Sequence, residues 1–320
     1  MGENTNTLSR QTGKRFFSQV PVIFWGLIAL IVILGFVSPN SVQPKHLLDF
    51  TRQAAPMIIV GIGQMIVMMV GGLDLSIAAV MVFVDVVAAD LMAGKPQNAV
   101  WVAILCVGLG AVIGLANGFL CAKLKMPAFV VTLAMSILLL GITLIYCGGA
   151  PKGSIPDNFR FLGTGFVGVI PTALFVWGII AAIIIVVMKL LPIGRYIQAT
   201  GVNARAVYQS GLNHVKIQML CYMLCGILAA LGGLQISAYI GTGTMEFGID
   251  YQMDSIAVAL LGGASFAGGK GSIPGTIFAG LFMVVMMSLI SAMNMDVGDR
   301  AIVQGIIILA ALIINGLKKD

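Results

Sequence analysis

The stretch "GGLDLS", Gly71 to Ser76, lies between two apolar runs, "APMIIVGIGQMIVMMV" at 55–70 and "IAAVMVFVDVVAADLM" at 77–92. A carboxylate at the centre of a bilayer-spanning helix costs on the order of 2.5–3.5 kcal/mol on insertion scales. Asp74 therefore needs a partner, a shallow position or a task. Composition decides whether its solvent is lipid or protein.

Of 320 residues, 59% are hydrophobic and 9% charged, against roughly 25% charged in soluble domains. This is the composition of a polytopic membrane protein. Apolar runs recur near 21–38, 54–70, 73–93, 99–122, 127–147, 166–191, 215–240, 253–269, 273–293 and 301–317. Most can cross a hydrocarbon core that needs about 20 helical residues. The expected fold is all-α with about ten transmembrane helices, and eight or nine if the short, Gly-broken runs 54–70 and 253–269 are half-helices. No run alternates, which excludes an outer-membrane barrel.

With ten spans and an inside N-terminus, the inside segments hold Arg10, Lys14, Arg15, Lys123, Lys125, Lys189, Arg195, Arg205, Lys216, Lys270, Lys318 and Lys319. The outside segments hold Lys45, Arg52, Lys95, Lys152, Arg160 and Arg300. The bias places both termini in the cytoplasm, so the net charge of +6 is a topology signal and not a nucleic-acid footprint. The expected organisation is a tail at 1–20, one membrane domain at 21–317 and a short terminus at 318–320. The first run is long for a secretory h-region, and "GFVSPNSV" lacks a small-x-small cleavage site. It reads as an uncleaved helix.

Enzyme-like fragments fail on chemistry. "FAGGKGS" has Ala264 and Gly271 where a phosphate-binding loop needs Gly and Ser or Thr. Ser265 in "GGASF" would need a His base, and His46 and His214 are expected in loops on opposite sides. No cluster has metal-ligand spacing. The cysteines, Cys106, Cys121, Cys147, Cys221 and Cys225, sit in or beside apolar runs, as packing residues do. Gly110, Gly114 and Gly118 form a ladder suited to close helix packing.

Three features stand above this background. In "GGLDLS" two glycines end one helix and Asp74 is placed to cap the next. Asp85 follows eleven residues later, and eleven steps of roughly 100° return to within about 20° of the same face, some 16 Å further on. The two acids would then share a stripe, with Ser76 beside it, while Asp90 lies near the outer end as a solvated flank. Capping and a polar pathway both remain open for Asp74. The second feature is "LLGGASFAGGKGSIPGT" at 260–276, a second Gly-broken polar turn between apolar runs; such pairs hint at a central transport site. The third is the inside segment 191–218. There Asn203 is a plausible N-cap, "ARAVYQS" makes one to two turns, and Gly211 closes them in a left-handed conformation. Val207 and Tyr208 are expected to be exposed, either for a partner or against the membrane surface.

At this point the chain resembles a family. "GGLDLS", "AKLKMPAFVVTLAMS" at 122–136, "GRYIQATGVNARAVYQSGLN" at 194–213 and "LLGGASFAGGKGSIPGT" are similar, in order, to signatures of permease subunits of bacterial ABC importers for simple sugars, the ribose/xylose/arabinose/autoinducer-2 group. The resemblance implies a two-permease core (a second copy or a paralogue), a separate ABC ATPase carrying ATP and Mg, and a periplasmic or lipid-anchored sugar-binding protein. It implies a multi-pass protein of the bacterial inner membrane that holds no cofactor and is not itself an enzyme. It also implies a cytoplasmic coupling loop at about 192–215, with Asn203, Arg205, Val207, Tyr208 and Gly211 facing the ATPase. The chain departs from the pattern at Ala204-Arg205-Ala206-Val207, where an acidic residue and an Ala-Ala pair are usual, and at Ala78-Ala79, where a Gly is usual. The rival reading is an ion- or proton-coupled secondary transporter in which Asp74 and Asp85 carry the ion.

Overall fold

The computed structural model describes residues 21–246, 248, 250–295, 298, 299, 302, 303, 305, 306 and 309. The expected tails at 1–20 and 318–320, and most of the run 301–317, lie outside the described residues. Each of the other nine apolar runs contains an α-helix. In chain order the helices are α1 (Val22–Val37), α2 (Pro44–Gln53), α3 (Ala55–Met69), α4 (Ile77–Met92), α5 (Ala99–Gly118) and α6 (Ala128–Cys147). Then come α7 (Asp157–Thr164), a two-stranded hairpin of β1 (Phe166–Val167) and β2 (Ile170–Pro171), α8 (Thr172–Leu190), α9 (Pro192–Gln209), α10 (His214–Ile240), α11 (Tyr251–Leu261) and α12 (Ile273–Ala292).

Among the described residues, α5 with its flanking turns, α6, α8, α10 and α12 are long and apolar enough to cross a membrane. Helices α2 and α3 make a further span when taken together, bent by 44° at Ala54. Pro56 sits in the first turn of α3, where its missing N–H costs nothing. The remaining apolar helices are shorter: 16 residues in α1, 16 in α4 and 11 in α11.

Shortness is tolerated because the central helices do not meet lipid. Every residue of α3 is buried, and so are nearly all of α4. Their length of about 22–24 Å falls short of a hydrocarbon core of about 30 Å, and protein fills the difference. Around them stand helices with exposed apolar faces, such as Ile104 at 69%, Ile137 at 66% and Ile145 at 86% exposure. Such faces are stable in lipid and a liability in water.

Helix α10, 27 residues long, is the hub. It packs antiparallel to α5 through the expected glycine ladder. A Cβ on Gly110 would lie 2.4 Å from the Gly226 carbonyl oxygen, one on Gly114 2.2 Å from the Tyr222 oxygen, and one on Gly118 2.8 Å from Met219 Cα. Backbones this close gain dispersion and exclude any side chain.

Several local expectations change. The run 166–191 begins as the hairpin and turns helical only at Thr172. The run 253–269 stops being helical at Leu261, where Gly262 and Gly263 (φ +99°) break it. His46 lies within α2, and His214 is the first residue of α10, so neither is in a loop. All five cysteines are free, with Cys106, Cys221 and Cys225 buried.

The short elements gather at two ends. At one end Gly269 donates its N–H to the Met69 carbonyl at 2.8 Å, and α9 crosses the same point at Gly201. At the other end the segments 152–155 and 241–243 pair, with Ser154 N–H donating to the Ala89 carbonyl. The second end also carries α2, α7 and the hairpin.

Candidate functional site

The 71–76 turn is folded on itself. Gly71 takes φ +75°, and a Cβ on Gly72 would meet the Tyr222 hydroxyl at 2.5 Å. Asp74 is buried and accepts both the Ser76 N–H at 2.8 Å and the Ser76 hydroxyl at 2.6 Å. Asn117 of α5 in turn donates to the Ser76 hydroxyl at 2.8 Å. Helix α4 starts at Ile77 with Ser76 as its N-cap residue. Asp74 is therefore not the expected cap: it lies two residues before Ser76 and braces the entry to the helix from there.

That geometry corrects the shared stripe. Asp74 lies before the first helical residue, so the 100° phase does not reach back to it. Asp85 is on α4, buried, and clamped: Ser237 of α10 donates to one carboxylate oxygen at 2.6 Å and the Thr244 N–H to the other at 2.9 Å. Both acids face α10, where Cys225 hydrogen-bonds the Asp74 side chain and Ser237 that of Asp85, about 18 Å apart along the helix. Asp90 lies at the end of α4 in an ion pair with Lys152 at 3.3 Å and accepts from the Tyr146 hydroxyl.

In the segment 192–215, α9 is two helices joined at Asn203, whose φ of −158° and ψ of 93° are not helical. The Asn203 side chain accepts the Ala206 N–H at 3.0 Å, and Gly211 takes φ +82°. Arg205 is exposed, and Tyr208 is 68% exposed with its ring edge-to-face on His214. Val207 departs from expectation. It is buried in the apolar cluster that includes Ile197 and Ile217, and Leu212 packs against the same cluster. It anchors the helix to its own protein and leaves Tyr208 as the outward side chain.

A cavity of about 880 Å³ opens at the α2 end. Its wall comes from α2, the start of α3, the last turns of α10, the 246–250 segment, α11 and α12. Polar groups converge there: Asp49, Arg52, Gln53, Gln235, Glu246, Asp250, Asp254 and Ser288, interleaved with Phe50, Tyr239 and Tyr251. Arg52 pairs with Asp49 at 3.1 Å and stands over the Phe166 and Tyr239 rings, 5.6 and 5.5 Å from their centroids. Hydrogen-bonding groups set among aromatic faces suit a small polar molecule. Neither Asp74 nor Asp85 lines this cavity. The sequence reading missed it; its one signal was that Arg52, Gln235, Asp254 and Ser288 interrupt or flank different apolar runs at the same end. Among the described residues no group of three or more His, Cys, Asp or Glu is placed to hold a metal.

The family described as "Branched-chain amino acid transport system / permease component" matches residues 46–312. The chain belongs to this permease family. It is 31% identical to the ribose import permease protein RbsC of Escherichia coli strain K12, over 98% of this chain and 100% of that protein. It is 30% identical to the ribose import permease of Bacillus subtilis strain 168, over 92% of each. The galactose/methyl galactoside import permease MglC of Haemophilus influenzae is 28% identical over 90% of the permease and 92% of that relative. No solved structure matches.

Proposed function

We propose that this permease is the membrane-spanning subunit of an ABC importer that carries a simple sugar, a pentose, hexose or related small polyol, delivered by an extracytoplasmic binding protein. The observation that carries this reading is the end-to-end likeness to permeases named for ribose import. The polar, aromatic cavity supports it, because neutral hydroxyls are held by carboxylate, amide and guanidinium groups while ring faces pack on Tyr and Phe. The partners are an ABC ATPase holding ATP and Mg, the binding protein, and a second permease, either a copy or a paralogue. The site of action is the bacterial inner membrane, with α9 and the 262–272 loop on the cytoplasmic side and the cavity outside. On this reading the chain has no catalytic residue and no cofactor of its own.

Against the secondary-carrier alternative stands the occupation of both acids. Asp74 and Asp85 are committed to hydrogen bonds that hold turns, away from the cavity. Proteoliposomes holding the permease with its ATPase and binding protein should take up labelled ribose or a related sugar only when ATP is supplied. The permease alone should neither hydrolyse ATP nor concentrate sugar down a proton gradient. Proton-driven uptake by the permease alone would replace this reading with the secondary carrier.

A further inference from the structure

Gln64 sits in the tenth position of α3, fully buried, and neither its amide oxygen nor its amide nitrogen has a hydrogen-bond partner among the described residues. A buried primary amide in a membrane protein carries the full cost of its lost solvation. A leucine would fill the same volume without that cost. Among the described residues no contact accounts for a glutamine there.

Its direction on the helix gives the account. Val60 packs on Gly232 of α10, and Gly61 faces Val258 of α11 and Thr276 of α12. At roughly 100° per residue, Gln64 points about 40° round from Val60 and about 60° short of Gly61. It is therefore aimed into the wedge between α10 and the α11–α12 pair. Met57, seven residues earlier, points into the same wedge and lines the cavity. The cavity is the open, outer part of that wedge, walled by Gln235, Tyr239, Asp254 and Met283 of the same three helices. Gln64 lies about 10 Å deeper along the same face of α3.

The depth coincides with a break. Met57 shares the cavity with Asp254, and Gly61 meets Val258, so α3 and α11 run the same way. Gln64 then falls level with Leu261 and the Gly262–Gly263 stop of α11. Below it lies the Gly-rich loop 262–272, hung from Met69 by the Gly269 bond, with α9 crossing there at Gly201. Broken helices with their ends near the middle of the membrane are where carriers place polar contacts.

We propose that Gln64 is a substrate-contacting residue of the transport path, shut in this state, whose amide bonds sugar hydroxyls when the wedge between α10 and α11–α12 opens below the cavity. This inference rests on the sugar-import reading. In an opened wedge both amide atoms gain partners, and the cost of the closed state becomes a bias toward opening.

Three measurements on the permease–ATPase–binding-protein complex decide it. The wild-type complex must first show ATP-dependent sugar uptake; its failure there would sink the import reading and leave the unfolding temperature of Gln64→Leu and the labelling of Gln64→Cys to judge Gln64. Gln64→Leu should unfold in detergent at the same temperature as wild type or higher, and keep its ATPase, yet lose uptake at least tenfold. A lower unfolding temperature, or uptake equal to wild type, would overturn the proposal. Gln64→Cys, made with the five native cysteines replaced by Ser, should resist a small thiol reagent at rest and react during ATP hydrolysis, with cysteine-less permease as the control. Equal labelling in both conditions would also overturn it.

Discussion

Ser237 of α10 donates its hydroxyl to Asp85 of α4 at 2.6 Å, and the Thr244 N–H occupies the second carboxylate oxygen at 2.9 Å. One acid thus pins a long helix and the return segment that leads to Glu246 and Gly248 on the cavity wall. In Asp85→Asn one of the two acceptors becomes an NH₂ group facing a donor. Stability should fall by about 1–3 kcal/mol, the usual penalty for an orphaned buried group. Asp90→Asn removes a part-exposed pair with Lys152 and should cost about 0–1 kcal/mol. Unfolding midpoints of the two variants in one detergent test this, and equal midpoints would reduce the Asp85 clamp to a bystander.

Glycine spacing gives a second prediction with an internal control. A Cβ on Gly114 would stand 2.2 Å from the Tyr222 carbonyl oxygen, whereas one on Gly108, on the same helix, meets nothing within 4 Å. Gly114→Ala should force α5 and α10 apart and cost about 1–3 kcal/mol or more. Gly108→Ala should be neutral or stabilising by up to about 1 kcal/mol, since Ala is the better helix former. Yield of folded protein by size-exclusion chromatography separates them; two equally folded variants would contradict the close crossing.

Much of this was legible because lipid leaves little choice: runs of Leu, Ile, Val and Met must be helical, and nine such runs are. The glycines of 261–271 announced the stop after α11 for the same reason. Two things were hidden. The expected helix begins at Asn203, whereas α9 starts at Pro192 and carries Gly194 and Gly201 for close approach, Gly201 to the Met69 carbonyl and Gly194 to that of Met188. The reason is tertiary, and no local rule carries it. The cavity was hidden because its wall is assembled from five helices and a connecting segment, each giving one or a few polar residues. Val207 was misread because a two-turn helix fits either face to its own protein, and only the Ile197–Ile217 cluster decides which.

The relay from Asn117 through Ser76 to Asp74 ties α5 to the turn before α4. Ser76→Ala removes the middle of it, leaving the Asn117 amide and one Asp74 bond unmade, at about 1–3 kcal/mol. Combined with Asn117→Leu, the two losses should fall short of adding, because both act on the same bond. Strict additivity of the unfolding free energies would mean that the contact between Asn117 and Ser76 contributes nothing.

The proposed ATPase contact rests on the short helix after Asn203, where Val207 turns inward and Tyr208 outward. That division assigns different failures to neighbouring residues. Val207→Ala empties part of a buried cluster and should lower the permease's own unfolding temperature whether or not an ATPase is present. Tyr208→Ala should leave that temperature unchanged and weaken ATPase association, since an exposed aromatic side chain at a docking surface is a favoured anchor. Gly211→Val puts a β-branched residue at φ +82°, a conformation it resists. It should redirect the helix end, so that the ATPase still binds but hydrolyses more ATP per sugar delivered. The measurements are unfolding temperature, co-purification of the ATPase, and the ratio of ATP hydrolysed to sugar imported. If Tyr208→Ala and Gly211→Val both bind the ATPase as wild type does and keep its ratio, the helix is not the docking element, and Tyr208 then only covers His214 at the membrane surface.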